Sequence, residues 1–175
     1  MIRGRYFLSL NLLSLIPRSL AFKIIRYLVS RKFTYVKWIS TNDLAHRLED
    51  PEQQPVILDA RTEAEYVVSH LNNAQHIDPY HPNLSMLIEL KDTPIVVYCS
   101  VGYRSARIAQ QLEQAGLSHV YNLEGSLFKW ANEERPIYKN NSPTSLVHPY
   151  NQVWGTLLKP KYRAQVAEIE SGSAP

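Results

Sequence analysis

Cysteine is almost absent from this chain. A single thiol, Cys99, stands among 175 residues, which excludes an intrachain disulfide scaffold and any zinc site built on two or four cysteines. What is left is one free thiol, suited to a reducing compartment such as the cytoplasm. Long apolar runs are also missing: none approaches the roughly 18 residues that a bilayer-spanning helix needs, so a multi-span membrane protein is excluded. Glycine is scarce at six residues, and eleven prolines fall without a collagen-like period. With 45% hydrophobic and 20% charged residues, the chain is too apolar for intrinsic disorder. Its length suits one packed domain with an appendage, and is short for two ordinary domains.

Acidic residues are absent from the first 37 positions, which hold eight basic ones: Arg3, Arg5, Arg18, Lys23, Arg26, Arg31, Lys32 and Lys37. The remaining 138 residues carry 11 basic against 16 acidic side chains, so the overall charge of +3 belongs to an N-terminal arm. Tyr6 to Ile16 is apolar and stops at Pro17 and Arg18. Leu20 to Val29 then sets Leu20, Ala21, Ile24, Ile25 and Leu28 on one helical face beside Lys23 and Arg26. Three readings fit this arm: peripheral contact with an anionic membrane surface, a secretory signal, or a helix packed on the domain. Arg18 before Ser19-Leu20-Ala21, and the basic helix beyond, count against secretion. Large aliphatics interleaved with the basic residues, and the lack of a recognised motif, count against nucleic acid. The chain divides into a basic arm (1–37), a domain (38–139), and a linker with tail (140–175).

From Trp38 the pattern alternates helix and strand. Ser40 or Thr41 caps a helix to Leu48, ended at Asp50-Pro51. Val56-Ile57-Leu58 is an apolar strand that delivers Asp59 and Arg61 at its carboxyl end, before a helix over Glu63 to Leu71. Ala74 to Ile77 reads as a short strand, Leu84 to Leu90 as a helix, and Ile95 to Tyr98 as the strongest strand. A helix with Ala106, Ile108, Ala109, Leu112 and Ala115 on its core face follows, stopped by Gly116. Val120 to Leu123 is a further strand, and Leu127 to Glu134 a helix closed by Pro136. This order predicts an α/β fold, a parallel sheet with helices on both faces. Residues 140–150, with two Asn and two Pro, read as linker, with Val153 to Leu158 packing back on the domain.

The chemistry-bearing cluster is Cys99-Ser100-Val101-Gly102-Tyr103-Arg104-Ser105, between a buried strand and a helix N-terminus. Ligands of parallel sheets bind at the carboxyl ends of strands. A loop curling into a helix turns backbone N–H groups inward, and the helix dipole adds positive potential, so an anion is stabilised there. That anion can be the Cys99 thiolate, whose reference pKa is about 8.5. Gly102 permits the tight curl, and Arg104, turned inward, offers a forked cation to an anionic substrate.

The segment Ile95 to Ala106 resembles the active-site segment of a single-domain rhodanese-like sulfurtransferase. Further matches follow in order: Ile57 to Arg61 resembles the family's strand ending in Asp-x-Arg, Glu65-Tyr66 its next helix, Ser69 to Ala74 its Gly-His-Ile-Pro-Gly-Ala stretch, and Leu123 to Trp130 its Glu-Gly-Gly and Trp segment. The resemblance spans about residues 38–139. Asn72-Asn73 stands where the family has Pro-Gly, and Ser126 where it has Gly.

The resemblance implies a rhodanese-like fold and transfer of a sulfane sulfur, from thiosulfate or a persulfide, through a Cys99 persulfide to cyanide, a thiol or a partner protein. It implies no metal or organic cofactor. Cys99 is then the nucleophile, Ser100, Val101, Gly102, Tyr103 and Arg104 bind substrate, and Asp59, Arg61 and Ser105 support the site. A strand-end salt bridge without catalytic part is the alternative for Asp59 and Arg61, and His70 reads as structural. Good thiosulfate users in the family carry basic loop residues, which Ser100, Val101 and Tyr103 are not, so thiosulfate is expected to be a poor donor. Two other functions remain: a membrane-docked binding module that carries sulfur without catalysis, and a Cys-dependent phosphatase. Phosphatases of this architecture carry Cys-x5-Arg, whereas four residues separate Cys99 from Arg104.

Overall fold

The computed structural model describes residues 16–165. Its sheet is built on Ile95–Tyr98 (β4), which lies at the centre and is buried along its whole length, as β-branched and aromatic side chains favour. Five parallel strands run in the order β1-β5-β4-β2-β3, with β1 Lys37–Ile39, β2 Val56–Asp59, β3 Gln75–His76 and β5 Val120–Leu123. The two edge strands are the short ones, with three and two residues, which leaves little unpaired backbone at the rims. Helices flank the sheet, as the alternation of the sequence predicts.

The helices start and stop where local chemistry directs. Ser40 caps α2 (Thr41–Glu49), its hydroxyl accepting the Asp43 amide at 3.1 Å. Thr62 and Glu65 form a reciprocal capping box on α3, which is only Glu63–Tyr66. The helix expected through Leu71 stops there because His70 leaves the helical path to exchange both backbone hydrogen bonds with Tyr138, each at 2.8 Å. Leu84 to Leu90 forms a 3-10 turn, Ser85–Leu90. The long α4 (Tyr103–Gln114) buries Ala106, Ile108, Ala109 and Leu112, and the chain leaves it through Gly116 at φ 98°. The last sheet-flanking helix, α5, is Ser126–Asn132.

Residues 18–32 form a helix, α1 (Arg18–Lys32), packed on the domain. Its buried face is Ala21, Phe22, Ile25 and Val29, whereas Leu20, Ile24 and Leu28 of the expected apolar face lie exposed with Tyr27. Two polar anchors set this rotation: Arg26 pairs with Glu124 at 2.9 Å, and Arg18 Nε donates to the Thr156 carbonyl at 3.2 Å. Among the described residues no helix is long and apolar enough to cross a membrane.

Residues 140–150 are more ordered than a linker. Ile137–Lys139 (β6) and Ser142–Thr144 (β7) pair antiparallel around Asn140-Asn141, both in the left-handed region at φ 47° and 62°. Beyond the hairpin, Val147, Leu157, Leu158 and Tyr162 join the single hydrophobic core. Asn132 clamps this segment, donating to the Leu157 carbonyl and accepting the Lys159 amide, both at 2.7 Å. A short helix, α6 (Gln152–Gly155), lies between Val147 and Leu157, capped by Asn151.

Candidate active site

The carboxyl ends of β2 and β4 lie side by side, with Asp59 opposite Tyr98 in the parallel register. Asp59 and Arg61 are fully buried and paired: Arg61 Nε reaches Asp59 Oδ1 at 2.9 Å, and Arg61 also holds the Ser69 carbonyl. Tyr98 donates to Asp59 Oδ2 at 2.6 Å and accepts the Leu71 amide at 3.0 Å. Burial works against the Arg61 charge, and Asp59 more than restores it, raising its pKa. The pair ties both strand ends to the loop after α3. It braces the site from behind, because neither residue lines the cavity at Cys99.

Directly after β4 comes the loop Cys99 to Gly102. Its carbonyls are tied off by neighbours: Leu127 N–H donates to Cys99 O and Phe128 N–H to Ser100 O, both at 3.1 Å, and Asn122 Nδ2 donates to Gly102 O at 2.8 Å. With the carbonyls of Cys99, Ser100 and Gly102 engaged, the Gly102 amide is turned to the sulfur. Gly102 N–H donates to Cys99 Sγ at 3.1 Å, and Gly102 itself sits at φ 111°, a conformation that disfavours residues with a Cβ. Burial pushes the Cys99 thiol up, but the Arg104 guanidinium, the Ser105 hydroxyl and amide, and the Gly102 amide bring it below its ordinary value. Ser105 is fully buried and its hydroxyl makes no hydrogen bond to another protein group, which leaves it available to the sulfur.

Arg104 is arranged differently from the sequence expectation of an open fork for a substrate anion. Its Nη1 and Nη2 bond the two oxygens of Glu65 at 2.6 and 2.8 Å, and Nη2 also reaches Ser100 Oγ at 2.9 Å. The ring of Tyr150 covers the guanidinium at 4.9 Å. Glu65 is the hub: it also accepts from Ser100 Oγ at 2.7 Å and from the Thr62 amide at 3.1 Å. Burial opposes its charge, yet the bonds from Arg104 hold its carboxyl down at about 2.

Cys99 is 1% exposed, and its surroundings open as a cavity of about 130 Å³ lined by Cys99, Ser100, Val101, Tyr103, Arg104, Tyr150 and Trp154. Tyr103 is pinned from the arm: Phe33 packs edge-on at 5.5 Å and Lys32 hydrogen-bonds its hydroxyl. Of the expected binding residues, Ser100, Val101, Tyr103 and Arg104 thus line the cavity, and Gly102 contacts the sulfur. Glu65, Asn122, Ser126, Tyr150 and Trp154 were not among the expected site residues. Ser126, at φ 51°, accepts the Cys99 amide on its hydroxyl at 3.2 Å. The Thr62-x-x-Glu65 box marks Glu65 as a capping residue, and only the fold reveals its second role.

Fold and site together define a parallel α/β domain with one activated thiol at the end of its central strand. A family model described as the rhodanese-like domain matches residues 40–133, more than half of the chain, and the chain belongs to that family. It is 33% identical over 107 residues to the tRNA uridine(34) hydroxylase of Erwinia tasmaniensis, a match covering 58% of this chain and 29% of that protein. An uncharacterized protein of Synechocystis is 32% identical over 109 residues, covering 61% of each chain. The crystal structure of a rhodanese-related protein from Thermoplasma volcanium superimposes with a TM-score of 0.51 at 25% identity, over 58% of this chain and 97% of that one. The chain therefore spans less than two thirds of the length of these two curated relatives. Tyr150 and Trp154 lie outside the residues that the family model matches.

Proposed function

We propose that the protein is a cytoplasmic sulfurtransferase that moves a sulfane sulfur through a Cys99 persulfide. The observation that carries this reading is the Cys99 sulfur: it is held by the Gly102 amide, has its pKa lowered, and opens on a cavity at the end of the central strand. The thiolate attacks the outer sulfur of a donor, a new S–S bond forms, and the donor remnant leaves with the electron pair of the broken bond, as sulfite or a thiolate. The amides and hydroxyl that favour the thiolate also favour the persulfide anion. An acceptor nucleophile then takes the outer sulfur, and the electron pair of the cleaved S–S bond returns to Cys99. With no second cysteine in the chain, the acceptor comes from outside it.

Intact mass after incubation with a sulfane donor tests the scheme. A gain of one sulfur that reductant removes and Cys99→Ser abolishes is the expected result. No adduct across thiosulfate, thiosulfonates and persulfides would overturn it. Four residues between Cys99 and Arg104, with Arg104 bonded to Glu65, weigh against a phosphate site. For the arm, we propose peripheral contact with an anionic membrane through the outer face of α1. Leu20, Ile24, Tyr27 and Leu28 are exposed there, on a helix that carries Lys23 and Arg31 and no acid. The full chain should co-sediment with phosphatidylserine vesicles and not with neutral ones, and equal recovery would dismiss the contact.

A further inference from the structure

The wall of the Cys99 cavity contributed by the C-terminal segment is built rather than incidental. Tyr150 takes a left-handed backbone at φ 64°, an unfavourable state for an aromatic residue, and its amide is held by His148 Nδ1 at 3.0 Å. Asn151 caps the next turn on the Trp154 amide at 3.0 Å. Gly155 lies so close to Pro149 that an added Cβ would fall 2.9 Å from the proline Cβ. On either side, Val147 and Leu157 are sunk in the core. These constraints fix the backbone that brings Tyr150 and Trp154 to the wall of the cavity that Cys99 also lines.

Val101 and Tyr103 share the lining with them. Arg104 is the sole basic residue among those lining the cavity, and its fork is taken by Glu65 while its face is covered by Tyr150. Among the described residues that line the cavity, a strongly hydrated dianion such as thiosulfate finds no cation free of a protein partner, whereas an apolar group finds contact on several sides. At about 130 Å³ the space is close to an apolar cavity of roughly 150 Å³ that takes up benzene.

We infer that Tyr150 and Trp154 form an aromatic subsite that selects an organic sulfane donor, one carrying an aryl or branched alkyl group beside the transferable sulfur. The inference rests on the sulfurtransferase reading for its substrate, while the subsite itself is a property of the cavity. With an aryl thiosulfonate, Cys99 thiolate bonds the outer sulfur, that sulfur's bond to the sulfonyl group breaks, and the aryl sulfinate departs with the electron pair. Charge is conserved, since two monoanions give two monoanions.

The lone cysteine allows a test that needs no sulfur transfer. On the full chain, the rate of Cys99 alkylation by N-benzyl iodoacetamide is compared with that by iodoacetamide, each normalised to N-acetylcysteine. Burying a ring in the subsite should favour the benzyl reagent about tenfold. Tyr150→Ala and Trp154→Ala should abolish most of that preference, and Tyr150→Phe should keep it. The unmodified chain carries the decision should a variant fold poorly. A benzyl preference no greater than that of N-acetylcysteine would overturn the subsite. In parallel, loading of sulfur from benzenethiosulfonate should outpace loading from thiosulfate, and the Tyr150→Ala variant should narrow that ratio. Preference in alkylation with no sulfur loaded from any donor would leave the subsite standing and sink the sulfurtransferase reading. Equal loading from both donors, unaltered in Tyr150→Ala, would do the reverse.

Discussion

At Cys99 two effects compete: burial favours the neutral thiol, and the charge of Arg104 with the donors of Ser105 and Gly102 favours the thiolate and prevails. That balance depends on Glu65, which fixes Arg104 with two bonds while keeping its own charge. The Glu65 carboxyl sits at about 2 in the fold against 4.5 in its ordinary state, so it contributes stability fully above pH 4.5 and loses it as pH falls toward 2. The contribution is on the order of 3 kcal/mol. Acid unfolding followed by circular dichroism should show this loss in the native chain. Glu65→Gln should already lack the contribution at neutral pH, and an unaltered acid profile would contradict the assignment. Cys99 is legible in the sequence because a unique thiol follows an apolar strand and precedes a glycine loop. Glu65 is not: in sequence it is an ordinary capping residue, and its bonds to Ser100 and Arg104 lie 35 and 39 residues away.

Among the elements, the turn before β3 and the junction of β5 and α5 each accommodate one departure from the family pattern. Asn73 and Ser126 stand where the resemblance has glycine, and both adopt left-handed backbones, at φ 56° and 51°. Asn tolerates this state, whereas Ser126 carries a strain of about 1 kcal/mol and gains a hydrogen bond of similar worth from the Cys99 amide. Ser126→Gly, which relieves the strain and loses the bond, should be nearly neutral in thermal melts. Ser126→Ala keeps the strain and loses the bond, so it should cost about 1 kcal/mol; the opposite order would refute the trade. Strands β2, β4 and β5 are legible as short apolar runs bounded by turn residues. The early end of α3 is not, because it is set by Tyr138, far along the chain. Asn140-Asn141 does carry a hairpin signal, which its neighbouring prolines mask when the stretch is read by composition.

Across the whole molecule, both ends of the described chain reach the same mouth: Lys32 and Phe33 hold Tyr103, and Tyr150 and Trp154 face the thiol. The C-terminal segment is structural as well, since Val147, Leu157, Leu158 and Tyr162 are buried. At about 1.5–3 kcal/mol for each buried side chain, their removal rivals the 5–15 kcal/mol that holds a domain together. A chain ending at residue 144 should therefore melt far below the full chain or fail to fold, as measured by calorimetry. An unchanged melting temperature would show the segment to be a mere appendage. The sequence marks Val153 to Leu158 as packing back on the domain, and Leu157 and Leu158 are buried; the path between is not legible, because its apolar residues follow neither a helical nor a strand period.

One further consequence concerns the loop after β4, whose carbonyls are already committed to Leu127, Phe128 and Asn122. On the proposed sulfur relay, Cys99 gains and loses a second sulfur while these hydrogen-bonded peptide groups stay in place, so the chemical step asks no rearrangement of the loop.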